Sequence, residues 1–314
     1  MKGVGVENIQ KVGRIRRGWE LTKSSWLVLK LDKELVGLTA LNMLVGFVVL
    51  VLFGAVAVAY FAGHHTGGFN LTGQNFAFQT DQVPVWLSGI FWVSFYFAMT
   101  FMANIFGGAL IFGATQRFNG GDPTIRSSLK GATSKLRPLA LFSLMMSTVG
   151  LLFQALEERV PFAGQIAIWL MNAAWSVANV FAIPVIVLSD RQVGPLEATK
   201  ESVKIIRQVW GESIVADIGI STIGALSMFV YILFSGVLFS GIALFSQSPS
   251  VYIGFALLAF VGLIGLAMIF TTLTSIVKAA LYHYATTGKA PKLFNQELLQ
   301  ASMTPKKARK IFSA

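Results

Sequence analysis

Residues 35–62 read LVGLTALNMLVGFVVLVLFGAVAVAYFA, a run without a single charged side chain. An α-helix rises about 1.5 Å per residue and the hydrocarbon core of a bilayer is roughly 30 Å thick, so about 20 apolar residues cross it. This run is long enough, and it predicts a transmembrane helix. Five further apolar runs, near 85–113, 138–156, 162–188, 213–246 and 251–277, meet or approach the same length. The fold class is therefore all-α: a polytopic membrane helical bundle of about six transmembrane helices. The fifth run exceeds one upright span, so it is expected to tilt, to begin in the interface, or to break at Ser235-Gly236 or Ser240-Gly241. Pro184 predicts a kink in the fourth.

Composition agrees with that reading. Of 314 residues, 54% are hydrophobic and only 12% charged, and the mean hydropathy is +0.67; ordinary soluble domains carry roughly 25% charged residues. The absence of cysteine removes disulfides, thiolate nucleophiles, iron–sulfur clusters and Cys-based zinc sites. The first apolar run is too long, and follows too much polar chain, to be a signal peptide. It is expected to stay as an anchor.

Charge sets the expected orientation, because Lys and Arg near span ends remain cytoplasmic. All 25 Lys and Arg except Arg159 fall in the N-terminal segment, the 114–137 and 189–212 connections, or the chain from Lys278 onward. Both termini are expected on the cytoplasmic side, and the pI near 10 reflects topology rather than nucleic acid, which is not an expected partner. Three regions follow: a basic amphipathic cytoplasmic segment 1–33, a single transmembrane domain 34–285, and a basic cytoplasmic tail 286–314.

The segment GRIRRGWELTKSSW, residues 13–26, precedes the first span. As a helix at about 100° per residue it places Ile15, Trp19, Thr22, Trp26 and Leu29 on one face, with Arg14, Arg16, Arg17, Lys23 and Lys30 around it. A basic helix with Trp on its apolar side suits the membrane interface, where Trp meets the headgroup boundary and cations meet anionic lipid. Packing against the protein's own spans is the alternative. Two more cytoplasmic segments repeat the pattern. After Asp122-Pro123, read as N-cap and first helical position, Ile125, Leu129, Ala132 and Leu136 recur opposite Arg126 and Lys130, with Pro138 ending or kinking that helix. After Gly194-Pro195, Leu196, Thr199, Val203, Ile206 and Trp210 form a stripe opposite Glu197, Lys200, Glu201, Lys204 and Arg207. The chain thus parses as three units, each an amphipathic cytoplasmic helix followed by a transmembrane hairpin; a duplicated ancestry is a hypothesis that residue-by-residue alignment does not support.

Two blocks carry a family resemblance. GRIRRGWELTKSSWLVLKLDKEL, residues 13–35, resembles the opening of an uncharacterised bacterial membrane-protein family in which Gly-Arg-Ile, Gly-Trp, Lys-x-Ser-Trp and Asp-Lys-Glu-Leu occur in that order. AIPVIVLSDRQVGPLEATKESVKIIRQVWGE, residues 182–212, is similar to that family's second signature, a Pro within a span and then an amphipathic helix closing on Trp-Gly-Glu. The resemblance implies a bacterial inner membrane and carries no activity.

Catalytic chemistry is sparse. There is no HExxH, no Walker-type glycine loop and no pair of intramembrane carboxylates, so an enzyme is not expected, nor a cofactor. Of three histidines, His64-His65 with Asp81 lack a third spaced ligand, and no metal site is assigned. The outer loop 63–84 alternates Phe69, Leu71, Phe76 and Phe78 with polar residues, as a hairpin or lid would; its Asn70-Leu71-Thr72 sequon matters only in a eukaryotic secretory membrane.

Polar residues inside spans face another helix or water, because hydrocarbon offers them no partner. Asn172, Ser176 and Asn179 line one side of span four, Thr100, Asn104 and Gly108 one side of span two, and Thr271, Thr274 and Ser275 come late in span six. Asp217 is the one acid placed within a span, and antiparallel pairing of spans five and six brings Lys278 to similar depth as its expected partner. Two functions remain. The favoured one is a non-enzymatic membrane scaffold or binding protein whose cationic cytoplasmic platform meets anionic lipid or a protein partner, a homo-oligomer included. The alternative is a small transporter or channel using the polar faces of spans two and four.

Overall fold

A computed structural model describes residues 14–64, 85–209, 215–245, 248–294, 296 and 299. Among these the chain is helical and forms no strand. Helix α1 (Arg14–Leu31) leads through an Asp32-Lys33 turn into α2 (Glu34–His64); α3 (Val85–Phe118) returns. Then come α4 (Ile125–Thr133), α5 (Leu136–Glu157), α6 (Phe162–Ala178), α7 (Ala182–Leu188), α8 (Pro195–Val209), α9 (Val215–Phe245) and α10 (Pro249–Thr287). Six stretches are long and apolar enough to cross a membrane: Glu34–Ala59, Trp86–Phe118, Leu136–Glu157, Gly164–Leu188, Ile223–Ile242 and Pro249–Thr287. The element order is three short helices, α1, α4 and α8, each ahead of a hairpin of long ones.

The structure refines the expected local boundaries. Thr124, not Asp122, caps α4: its hydroxyl accepts from the Ser127 amide at 3.0 Å while Ser127 Oγ accepts from the Thr124 amide at 3.0 Å, a reciprocal cap that satisfies two orphan donors. Pro138 opens α5 rather than ending α4, lying in the first turn where its missing N–H would have no partner anyway. The fourth span is interrupted at residues 179–181, one turn ahead of Pro184, which sits in the first turn of the following helix and has no N–H to offer the Val180 carbonyl. The fifth runs unbroken from Val215 to Phe245, and Ser240 Oγ donates back to the Gly236 carbonyl at 2.9 Å without interrupting it. Helix α10 continues past the expected end at 277 to Thr287, where Gly288 closes it at φ 69°, a left-handed conformation suited to glycine.

Packing is uneven along the spans. The buried core gathers Leu21, Leu35, Leu38, Leu110, Ile276 and Leu281, and a second cluster joins Ile105, Leu139, Phe142, Ile186 and Ala198. Both lie at the end where α2 begins and α3 and α10 finish. Thr39 and Thr272 share a hydrogen bond at 2.7 Å, and the Phe118 ring meets His283 and Phe294 edge-on. Toward the other end, Leu52, Trp92, Phe234, Val237 and Leu258 are exposed, and ring contacts run within the first and third hairpins: Phe53 with Phe91 and Phe95, Phe239 with Tyr252 and Phe255. Such a surface suits lipid, since apolar area of this extent is unfavourable in water. At 39 residues, α10 is about 58 Å long, so its last turns extend beyond a bilayer core into the packed end.

Candidate membrane-interface site

The three short helices assemble against the packed end through small residues. Ser25 on α1, Ser128 on α4 and Ser202 on α8 are each fully buried, one helical turn from Leu21, Ala132 and Ala198, which are buried as well. Small side chains let backbones approach closely. Ser25 Oγ returns to the Leu21 carbonyl at 3.0 Å, and Ser202 Oγ accepts from the Phe181 amide at 3.0 Å, at the start of α7. Ser128 Oγ is buried with no hydrogen-bond partner among the described residues.

On α1 the buried stripe is Leu21, Ser25, Val28 and Asp32, with Leu29 beside it. This divides the face expected to lie on the membrane: Leu29 joins the core, while Trp19, 58% exposed, and Trp26, 39% exposed, point outward with Lys23 and Lys30. The side chains of Arg14, Arg16 and Arg17 lie outside those described. Helix α8 is buried most fully at Ala198 and Ser202, with Thr199, Val203 and Ile206 of the expected stripe partly buried beside them, while Leu196 is exposed alongside Lys200, Lys204 and Arg207. Trp210 lies outside the described residues. Glu197 and Glu201 turn to Arg191, at 2.5 and 3.9 Å, which leaves the three α8 cations unopposed by their own helix. Arg126 and Lys130 are exposed on α4.

An ion-pair cluster that composition gave little reason to single out ties this assembly together. Arg117, at the end of α3, donates from Nε and Nη2 to the two oxygens of Asp32 and reaches Asp122 at 2.8 Å. Glu34 accepts from the Ile125 amide at 2.8 Å, and Lys135 Nζ donates to the Arg191 carbonyl at 3.0 Å. The cluster's local signal in the sequence is an acid flanked by Lys30 and Lys33 at the start of a span. A shallow cavity of about 300 Å³ beside this cluster is lined by Phe112, Thr115, Gln116, Asn119, Gly121 and Leu188. It presents no charged group, and Gln116 is already engaged by Ser127 Oγ at 3.1 Å.

The intramembrane polar residues do not converge. Asn104 donates to Ser143 Oγ at 2.8 Å across the α3–α5 contact. Asn179, 8% exposed at the break in span four, donates to the Trp175 carbonyl at 2.9 Å and accepts from Thr199 Oγ1 on α8 at 2.7 Å. With the Phe181 amide held by Ser202, the break is filled by groups from α8. Asn172 and Ser176 are exposed. Lys278 is half-buried on α10 and forms no ion pair among the described residues; the side chain of Asp217 lies outside them. His65, Asp81 and the rest of the outer loop to 84 lie outside the described residues too. No group of His, Asp and Glu among the described residues could hold a metal ion.

Comparison with known proteins returns one match: a family of unknown function (DUF6159) fits residues 85–292. That range includes the 182–212 block and leaves the 13–35 block outside. No curated protein and no solved structure matches.

Proposed function

We propose a function from the geometry, since the chain belongs to DUF6159, a family of unknown function. The protein is a multi-pass membrane protein that acts as a non-enzymatic scaffold, without a cofactor. Its cationic surface of α1, α4 and α8 faces the cytoplasm from a bacterial inner membrane and holds anionic lipid or, failing that, a protein partner or second copy of the chain.

The observation that carries this reading is the outward turn of cations on all three short helices. Lys23, Lys30, Arg126, Lys130, Lys200, Lys204 and Arg207 are exposed while the same helices pack inward through buried serines. Cations near a leaflet bearing negative charge gain about 1 kcal/mol each, and these seven form no ion pair among the described residues, which keeps that gain available. The engaged amides of Asn104 and Asn179 support a scaffold over a polar passage, because both amides are already engaged across helix contacts. The experiment is a titration of the purified protein with phosphatidylglycerol and phosphatidylcholine, read by native mass spectrometry. Replacing the seven cations by Gln is expected to lower the preference for phosphatidylglycerol at least tenfold. If the variant keeps the parent's preference, the platform reading fails.

A further inference from the structure

Within that platform, α1 has a face of its own. Trp19, Lys23, Trp26 and Lys30 follow one another at steps of four, three and four residues, so at about 100° per residue they fall on one narrow stripe. All four are exposed. The buried stripe, Leu21, Ser25, Val28 and Asp32, repeats the same steps on the opposite side of the helix. The helix therefore cannot roll to hide its tryptophans without pulling Asp32 from Arg117 and unpacking Leu21 and Val28.

We infer that this stripe binds the headgroups of anionic phospholipids, the Lys ammonium groups pairing with phosphate and the indoles lodging at the boundary with the acyl chains. The inference rests on the platform reading and commits it to lipid at α1. Two structural features favour lipid over a protein partner here. First, the alternation of cation and indole matches the layering of an interface, in which charge and apolar area lie within one helix diameter of each other; Leu27 and Leu31, 47% and 59% exposed, widen the apolar margin. Second, α1 enters the first span through only the Asp32-Lys33 turn: the Leu35 amide donates to the Asp32 carbonyl at 3.2 Å and the Gly37 amide to that of Lys33 at 3.2 Å. The stripe is thus held at the depth where a membrane-crossing helix begins, and no acidic side chain shares it to repel phosphate.

The test uses the full chain with its other five tryptophans, Trp86, Trp92, Trp169, Trp175 and Trp210, replaced by Phe, reconstituted in bilayers with brominated phosphatidylglycerol or brominated phosphatidylcholine. Quenching of Trp19 and Trp26 is expected to be stronger with the anionic lipid at equal mole fraction. Lys23→Gln with Lys30→Gln is expected to lower that preference between about fivefold and twenty-fivefold, and Lys23→Arg with Lys30→Arg to keep it. Equal quenching by the two lipids in the parent would overturn the inference and leave the stripe to a protein partner. A companion variant with Lys200, Lys204 and Arg207 changed to Gln separates this outcome from failure of the platform. If it loses the overall phosphatidylglycerol preference while the α1 variant keeps it, the platform stands and the α1 inference is wrong. If neither variant changes anything, both readings fall.

Discussion

Asp32, in the turn between α1 and α2, and Arg117, at the end of α3, form a bidentate ion pair in which the carboxylate is 4% exposed and the guanidinium 23%. The pair joins the start of the first span to the end of the second and fixes how α1 lies against both. Asp32→Ala takes from the partly buried Arg117 its buried partner and leaves it only the exposed Asp122, so it is expected to destabilise the protein by about 1–3 kcal/mol. Asp122, 88% exposed, is worth under about 1 kcal/mol to the same arginine. Thermal unfolding in detergent checks this. The double variant Asp32→Leu, Arg117→Met is expected to be more stable than Asp32→Ala alone, and the assignment fails if Asp122→Ala proves the costlier change.

The buried serine of α4 gives a second prediction. A Cβ on Gly113 would lie 2.6 Å from Ser128 Oγ and 3.0 Å from Leu35 Cδ2, so Gly113→Ala forces α3 and α4 apart. Ser128 Oγ has no partner among the described residues, and removing an unsatisfied buried hydroxyl is neutral or stabilising. Ser128→Ala is expected to leave the melting temperature level or higher and to recover part of the loss from Gly113→Ala. Additive effects of the two changes would show that the contact is not as described.

Neighbouring glycines on α3 separate contact from propensity. A Cβ on Gly108 would come within 2.8 Å of Val187 Cγ2, whereas one on Gly107 meets nothing within 4 Å. Gly107→Ala is expected to be neutral or to stabilise by up to about 1 kcal/mol through helix propensity. Gly108→Ala is expected to destabilise by about 1–3 kcal/mol through overpacking. Equal melting temperatures for the two variants would contradict the packing of α7 on α3.

The asparagines should divide by environment. Asn179→Ala removes the acceptor for Thr199 and the donor to the Trp175 carbonyl, and a loss of about 1–3 kcal/mol is expected with faster hydrogen exchange in α8. Asn172→Leu is expected to be silent in stability, since that side chain is exposed. A larger loss at Asn172 than at Asn179 would reverse the assignment.

Orientation can be read directly in this cysteine-free chain. The proposed orientation, with both termini cytoplasmic, predicts that a cysteine at Gly67 reacts with an impermeant thiol reagent in intact cells and that one at Gly120 is protected. The reverse pattern would invert the topology.

What the sequence determined by itself was everything that depends on the length and polarity of a segment. The run 35–62 had to cross a membrane because it holds no charge over more than 30 Å of helix, and the short helices ahead of each hairpin were legible from apolar residues recurring opposite Arg126 or Lys200. On α4 the expected stripe of Ile125, Leu129 and Ala132 does turn inward, but on α1 and α8 tertiary structure decided which residues are buried. Hydrophobicity pointed to Trp19 and Leu196 as inward or membrane-facing stripes, but close packing against a crowded helix end selects small volume, so Ser25, Ala198 and Ser202 took the buried positions and displaced the large side chains outward. The Asp32–Arg117 pair was hidden for a related reason: its partners are 85 residues apart, and nothing local to either says that the end of one span will close over the start of another. The break in span four falls at 179–181, where Pro184 leaves the Val180 carbonyl without its i→i−4 donor; only the tertiary structure shows that Asn179 and Phe181, exposed by that break, find their hydrogen-bond partners on α8.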